Sequence, residues 1–141
     1  MKRIPAIKSV MTPFPYTIGI DDSLAVAAEM MEEHGFRHLP VVEGTELVGV
    51  LSDRRVREAL ESARNEGGVP RVRQVKALEA YVVELDDRLD NVVLAMADRH
   101  LDSALVVKNR RLVGIFTSTD ACRCLGESLR SEFSVHGDDV A

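Results

Sequence analysis

Leu39-Pro40-Val41-Val42-Glu43-Gly44-Thr45-Glu46-Leu47-Val48-Gly49-Val50-Leu51-Ser52 returns 65 residues later as Ala104-Leu105-Val106-Val107-Lys108-Asn109-Arg110-Arg111-Leu112-Val113-Gly114-Ile115-Phe116-Thr117. Each copy is an apolar run, a short polar turn and a second apolar run, which predicts a β-hairpin. The first turn falls at Glu43–Glu46, and Asn109 tolerates the turn backbone in the second. Nearly unbroken Val and Leu content predicts a sheet covered on both faces.

Outward from the hairpins the same offset holds over residues 4–55 and 69–120, with identical pairs such as Pro5/Pro70, Tyr16/Tyr81, Asp22/Asp87, Leu24/Leu89, Met31/Met96 and Gly49/Gly114. Tyr16–Ile20 reads as a short strand, and Asp22 or Ser23 as the start of a helix. Leu24, Ala27, Ala28 and Met31 form that helix's apolar stripe, and Gly35 ends it. Val56, Ala59, Leu60 and Ala63 give a second stripe, closed by Gly67-Gly68. The copy repeats the order with Tyr81–Leu85, the stripe Leu89, Val92, Val93 and Met96, the hairpin, and a helix from Ser118. The unit is therefore β-α-β-β-α, twice, an α+β fold whose halves pack with pseudo-twofold symmetry and share a core. A cleft between such halves is a natural ligand site. The expected boundaries are 1–66 for repeat 1, 67–128 for repeat 2 and 129–141 for a polar, mobile tail, because periodicity fades from Gly126.

At 141 residues and 45% apolar content the chain reads as one ordinary globular domain. A net charge of -5 argues against broad nucleic-acid affinity, so clusters such as Arg54, Arg55 and Arg57 read mainly as solvated surface. No apolar run is long enough to span a bilayer, and Met1–Pro5 lacks a signal-peptide core, which places the protein in the cytoplasm. Cys122 and Cys124, two apart on a helix, diverge by about 200° and do not pair. His34, His100 and His136 lack metal-set spacing, and no nucleophile elbow or phosphate-cradling glycine loop is present.

These pieces in this order resemble a cystathionine-β-synthase-type (CBS) domain pair, or Bateman module. The resemblance rests on Val10-Met11, Asp22-Ser23-Leu24, Leu39-Pro40-Val41-Val42, Leu47-Val48-Gly49-Val50 and Leu112-Val113-Gly114-Ile115, and covers residues 4 to about 125. It implies a regulatory binding module, not an enzyme, with no required cofactor. Such modules hold adenosine-containing ligands (AMP, ADP, ATP, S-adenosylmethionine) between their repeats and act through a homodimer or a protein partner. The segment Gly49–Arg54 also resembles acetoin-utilisation-type accessory proteins. A ligand-free dimerisation or docking scaffold is the alternative.

The family's ligand signature, a Gly-x-x-x-x-Pro wall and a Ser/Thr-x-x-Asp helix start, maps unevenly onto this chain. Repeat 1 keeps the wall, Gly35-Phe36-Arg37-His38-Leu39-Pro40, but Ser52-Asp53-Arg54-Arg55 puts Arg55 where the acid belongs, and an arginine cannot accept a hydrogen bond. Arg55 is expected to salt-bridge Glu58, Glu61 or a dimer mate, or to attract an anion. Repeat 2 keeps Thr117-Ser118-Thr119-Asp120, while its wall, His100 to Leu105, lacks both Gly and Pro. The resemblance thus points to Thr117, Ser118 and Asp120, with Ser103, Ala104 and Val82 beside them and Arg37, His38, Pro40, Ser52 and Arg55 from repeat 1. The Asp carboxylate would accept from ribose hydroxyls, and the hydroxyl and helix-start amides would donate to phosphate. Simple capping of the last helix is the competing role for Thr117 and Asp120. Arg37 and His38, adjacent on a strand, are expected on opposite faces, so that at most one lines a given cleft.

Overall fold

The structure is a computed structural model that describes residues 3–75 and 78–133. His136 and the rest of 134–141 lie outside the described residues, as does Lys76. Repeat 1 supplies strands β1 (Thr12–Pro13), β2 (Ile18–Gly19), β3 (His38–Glu43) and β4 (Glu46–Ser52), with helices α1 (Leu24–His34) and α2 (Asp53–Ala63). Repeat 2 supplies β5 (Val82–Glu84), β6 (Ser103–Lys108) and β7 (Arg111–Thr117), with α3 (Leu89–Asp98) and α4 (Ser118–Phe133). The α+β unit expected from the repeat is thus observed in both halves.

Two sheets form, β2-β3-β4 and β1-β7-β6-β5. In the two repeats β2 runs parallel to β3 and β5 to β6 (Ile18 opposite Val41, Val83 opposite Val106), and each hairpin closes antiparallel. Even the register shift recurs at the same offset, between Val41 and Val42 and between Val106 and Val107.

The helix starts follow local chemistry. Ser23 Oγ caps α1 by accepting from the Ala25 amide, while Asp22 accepts from the Gly19 amide at 2.8 Å and pins the turn before it. Asp87, its counterpart, accepts from Glu84 at 2.9 Å in the same way. Gly35 ends α1 in the left-handed region at φ 74°, and His100 takes the same conformation at φ 55° after α3. The missing glycine of repeat 2 therefore leaves the chain path unchanged.

Two departures from the sequence reading matter. The halves do not share one core but build two, around Leu24, Leu39 and Leu51 and around Val92, Val106 and Phe116. Each core is completed by the other repeat's leading segment: Val72, fully buried, belongs to the first cluster and Ile7, fully buried, to the second. Backbone bonds mark the exchange, with Val72 N donating to Asp22 O at 2.9 Å and Ile7 N donating to Asp87 O at 2.8 Å. Leu24 N reaches Pro70 O and Leu89 N reaches Pro5 O, both at 2.9 Å. Likewise β1 adds to β7 of the opposite sheet, and Leu78 O accepts from Val50 N on β4. Second, α4 does not stop where periodicity fades. It runs through Gly126 to Phe133, with Leu125, Leu129 and Phe133 exposed along one side.

Candidate functional site

Between the repeats lies a cleft of about 1240 Å³ into which both second-hairpin ends and both following helix starts open. The pseudo-twofold relation sets Arg37 against Asp102, Ser52 against Thr117 and Arg55 against Asp120. Asp53 N donates to Arg37 O and Ser118 N donates to Asp102 O, each at 2.9 Å, so each helix start is tied to the chain entering its middle strand.

Of the residues singled out by sequence, Arg37, His38, Ser52, Arg55, Thr117, Ser118 and Asp120 line this one cleft. Pro40, Ser103 and Ala104 do not: all three are buried within the sheets, Ala104 as part of the second core. Val82 is 46% exposed on the edge strand β5, outside the lining. The structure also corrects the expectation that Arg37 and His38 face apart, because both line the cleft. Strand alternation does not govern the pair, since Arg37 precedes β3, which begins at His38.

Thr117 and Asp120 form a reciprocal cap on α4. Asp120 N donates to Thr117 Oγ1 at 3.3 Å, while Asp120 Oδ2 accepts from Thr117 N at 2.8 Å and from Thr117 Oγ1 at 3.0 Å. Asp120 Oδ1 accepts from Arg123 at 3.1 Å, and the Asp120 side chain is 16% exposed. The carboxylate is thus oriented and already partly engaged. Ionised, it has about four acceptor positions, so the three side-chain bonds leave capacity for more.

In repeat 1 the equivalent cap is half present. Ser52 Oγ accepts from the Arg55 amide at 3.2 Å, but no carboxylate answers it. The expected ion pair of Arg55 with Glu58 or Glu61 is absent among the described residues. Arg54 takes Glu58 at 3.0 Å and Arg64 takes Glu61 at 3.9 Å, and Arg55 lies where the cleft borders a smaller groove beside Glu58, Glu66 and Gln74. Asp53, also on that wall, is drawn by Arg57 at 3.8 Å. His38 is half-buried, and burial holds its pKa below the usual 6.5, opposed by the charges of Asp102 and Asp53. Its imidazole is therefore neutral at neutral pH.

Sequence reasoning missed an aromatic wall. Tyr16 stacks on His34 with centroids 4.2 Å apart, and Phe36 lies 5.8 Å from Tyr16 and 5.6 Å from His34. Phe14, 80% exposed with φ 46°, lines the same cleft. The available signal was compositional: the chain has two Tyr and four Phe, and three of those six face one cleft.

Other possible centres are bare. Cys122 is exposed, Cys124 is half-buried with its thiol pKa pushed up by burial, and both are free. Among the described residues no group of three or more His, Cys, Asp or Glu side chains is placed to hold a metal. Among the same residues no helix is long and apolar enough to cross a membrane.

Comparison with known proteins gives the family. The CBS domain family profile matches twice, at residues 7–62 and 72–127, and the chain belongs to that family as a tandem CBS pair. It is 30% identical over 125 residues to the L-aspartate semialdehyde sulfurtransferase of Methanocaldococcus jannaschii, a match covering 87% of this chain but only 24% of that protein's length. The structure of an acetoin utilization protein (AcuB) from Vibrio cholerae superposes with a TM-score of 0.79 at 26% identity, covering 92% of this chain and 98% of the other. The CBS domain pair of protein MJ0100, in complex with 5'-methylthioadenosine and S-adenosyl-L-methionine, gives 0.79 at 27% identity, covering 89% and 99%.

Proposed function

We propose that this CBS pair is a regulatory module that binds one adenosine-containing ligand in the cleft between its repeats and signals through a homodimer or a protein partner in the cytoplasm. The observation that carries the reading is the placement of Asp120, an oriented carboxylate facing the inter-repeat cleft with acceptor capacity left. Ribose hydroxyls are donors suited to that capacity, and Thr117 and Ser118 offer hydroxyls beside it. The wall of Tyr16, Phe36 and Phe14 offers apolar faces on which a purine can lie. The adenosyl ligands of the MJ0100 pair support the same ligand class. No residue set in the cleft resembles a nucleophile with its base, so the reading is of binding, not turnover.

Isothermal titration with AMP, ATP and S-adenosylmethionine tests it, with Asp120→Ala as control. Binding that this substitution abolishes supports the reading; wild-type protein that binds none of the three overturns it. A ligand-free docking scaffold is the second reading, favoured by one observation: Thr117 and Arg123 already engage both Asp120 oxygens. It predicts a stable dimer in light scattering and no nucleotide-induced stabilisation.

A further inference from the structure

The two hairpin turns stand at the strand ends away from the cleft and carry opposite charge at equivalent positions. In repeat 1 Glu43 faces Glu46 across β3 and β4, and in repeat 2 Lys108 faces Arg111 across β6 and β7. Like charges directly opposite on paired strands repel, so neither pair serves the hairpin it closes. Repeat 1 answers its acids from within, because Arg73 bonds Glu43 at 2.8 Å and Asp21 at 2.9 Å. Repeat 2 has no such answer. Lys8, the counterpart of Arg73, takes Asp86 at 2.7 Å, and Lys108 occupies the position equivalent to Glu43. Lys108, Arg110 and Arg111 are exposed and make no ion pair among the described residues, and neither does Glu84 on the neighbouring strand β5. Arg110 also holds φ 67°, the left-handed region that favours glycine, so its basic side chain is kept against a local backbone cost.

We propose that the cationic turn of repeat 2 docks on the acidic turn of repeat 1 of a second copy of this chain, a weak and salt-sensitive self-association independent of the adenosyl reading. The complement is present in the same molecule: Glu43 and Glu46 stand at the same register, beyond the same register shift, with the sign reversed. An acidic pair set against a basic pair relieves both cross-strand repulsions at once. Glu46 makes no ion pair among the described residues, and Arg73 takes only one oxygen of Glu43, so both carboxylates keep acceptor positions for the Arg110 and Arg111 guanidinium groups. Overall charge favours this occupant over a nucleic acid or an anionic lipid surface, since a chain of net charge -5 repels an extended polyanion everywhere except at such a turn. The contact joins two unlike patches, so it is heterologous and adds copies without a twofold axis. It also leaves the cleft open, because the turns lie one strand length, about 17 Å, from the cleft ends of the hairpins.

The test is sedimentation velocity of the full chain over a range of protein concentrations, at about 25 mM and about 300 mM salt, where charges are screened very differently. One variant reverses the repeat 1 pair, Glu43→Lys with Glu46→Arg; the other reverses the repeat 2 pair, Lys108→Glu with Arg111→Glu. All four side chains are exposed, each exchange replaces one like-charged pair by another, and Arg73 keeps Asp21, so both variants retain the fold. Wild type is expected to gain mass with concentration at low salt and not at high salt. Either variant alone should lower the low-salt association constant by about tenfold, the scale of two or three exposed ion pairs. An equimolar mixture of the two should restore it, because one variant then carries two basic turns and the other two acidic ones. Wild-type mass that salt does not change, a loss confined to one variant, or a mixture that fails to restore association would each overturn the proposal. None of these outcomes touches the adenosyl reading, which calorimetry tests separately.

Discussion

Asp120 carries two jobs, and separating them is the main question at the scale of single residues. As a cap it satisfies the Thr117 amide; as a cleft residue it has acceptor positions to spare. Asp120→Ala is therefore expected to lower unliganded stability by about 1 kcal/mol, the usual worth of a cap, in denaturant melts. It should also abolish any shift produced by an adenosyl ligand. Arg123→Ala, which removes one bond to the carboxylate from outside the cleft lining, should keep the ligand shift; its loss would show that disturbing the helix start alone explains the Asp120 result. His38 gives a pH prediction. Its pKa is depressed on folding, so the unfolded chain binds more protons as pH falls below about 6.5. The stability linked to its neutral form is complete above that value and lost as pH falls through the lower folded value. Thermal melts from pH 7.5 to 5 should fall less for His38→Gln than for wild type. Parallel curves would contradict this role.

The exchange of leading segments dominates the scale of elements. Gly49 and Gly114 are identical positions because a foreign segment crosses each: a Cβ at Gly49 would strike the Leu78 carbonyl oxygen, and one at Gly114 the Met11 sulfur. The obstacles differ in kind. A backbone carbonyl held by Val50 N cannot yield easily, whereas a methionine side chain can swing aside. Gly49→Ala should therefore cost more than Gly114→Ala, with overpacking on the order of 1–3 kcal/mol at Gly49, measured by urea unfolding. Equal costs would mean the segment on β4 moves as freely as a side chain. The repeat identities announced that these glycines matter but not why. Periodicity reports which face of an element is buried, not which element buries it, so the crossing of residues 5–14, of residues 70–75 and of Leu78 was illegible. The full length of α4 was illegible for a different reason: periodicity fades from Gly126, so the second repeat reads as ending at residue 128. Gly126 is exposed with nothing near its missing Cβ, and a solvent-facing glycine inside a helix costs only about 1 kcal/mol relative to alanine. Leu125, Leu129 and Phe133 lie at i, i+4 and i+8, a helical spacing that the sequence carries past the glycine.

At the scale of the whole molecule the repeat predicted the architecture correctly, because each half must satisfy the same apolar pattern twice. What it could not reveal is that neither half is complete. Residues 1–66 lack Val72, which is fully buried in the core they would need to form. A fragment of residues 1–66 should consequently show no cooperative thermal transition by circular dichroism, and a sigmoidal melt would contradict the exchange. In the full chain, Ile7→Ala, distant in sequence from the core it seals, should cost about 2–5 kcal/mol. The site was legible to the same degree as the fold. Thr117, Asp120 and Arg55 were found because a motif of fixed spacing holds them, whereas Phe14, Tyr16, His34 and Phe36 meet only through folding across more than twenty residues of chain. Pro40, Ser103 and Ala104 fall in the same stretches yet lie buried within the sheets, outside the cleft lining.

The most direct test is a thermal-shift titration of wild type and Asp120→Ala with ATP, AMP and adenosine. If the cleft binds one adenosyl ligand through Asp120, wild type at ten times the dissociation constant gains about 1.4 kcal/mol of stability and the variant gains none. Wild-type protein whose melting temperature none of the three adenosine ligands moves would contradict the account.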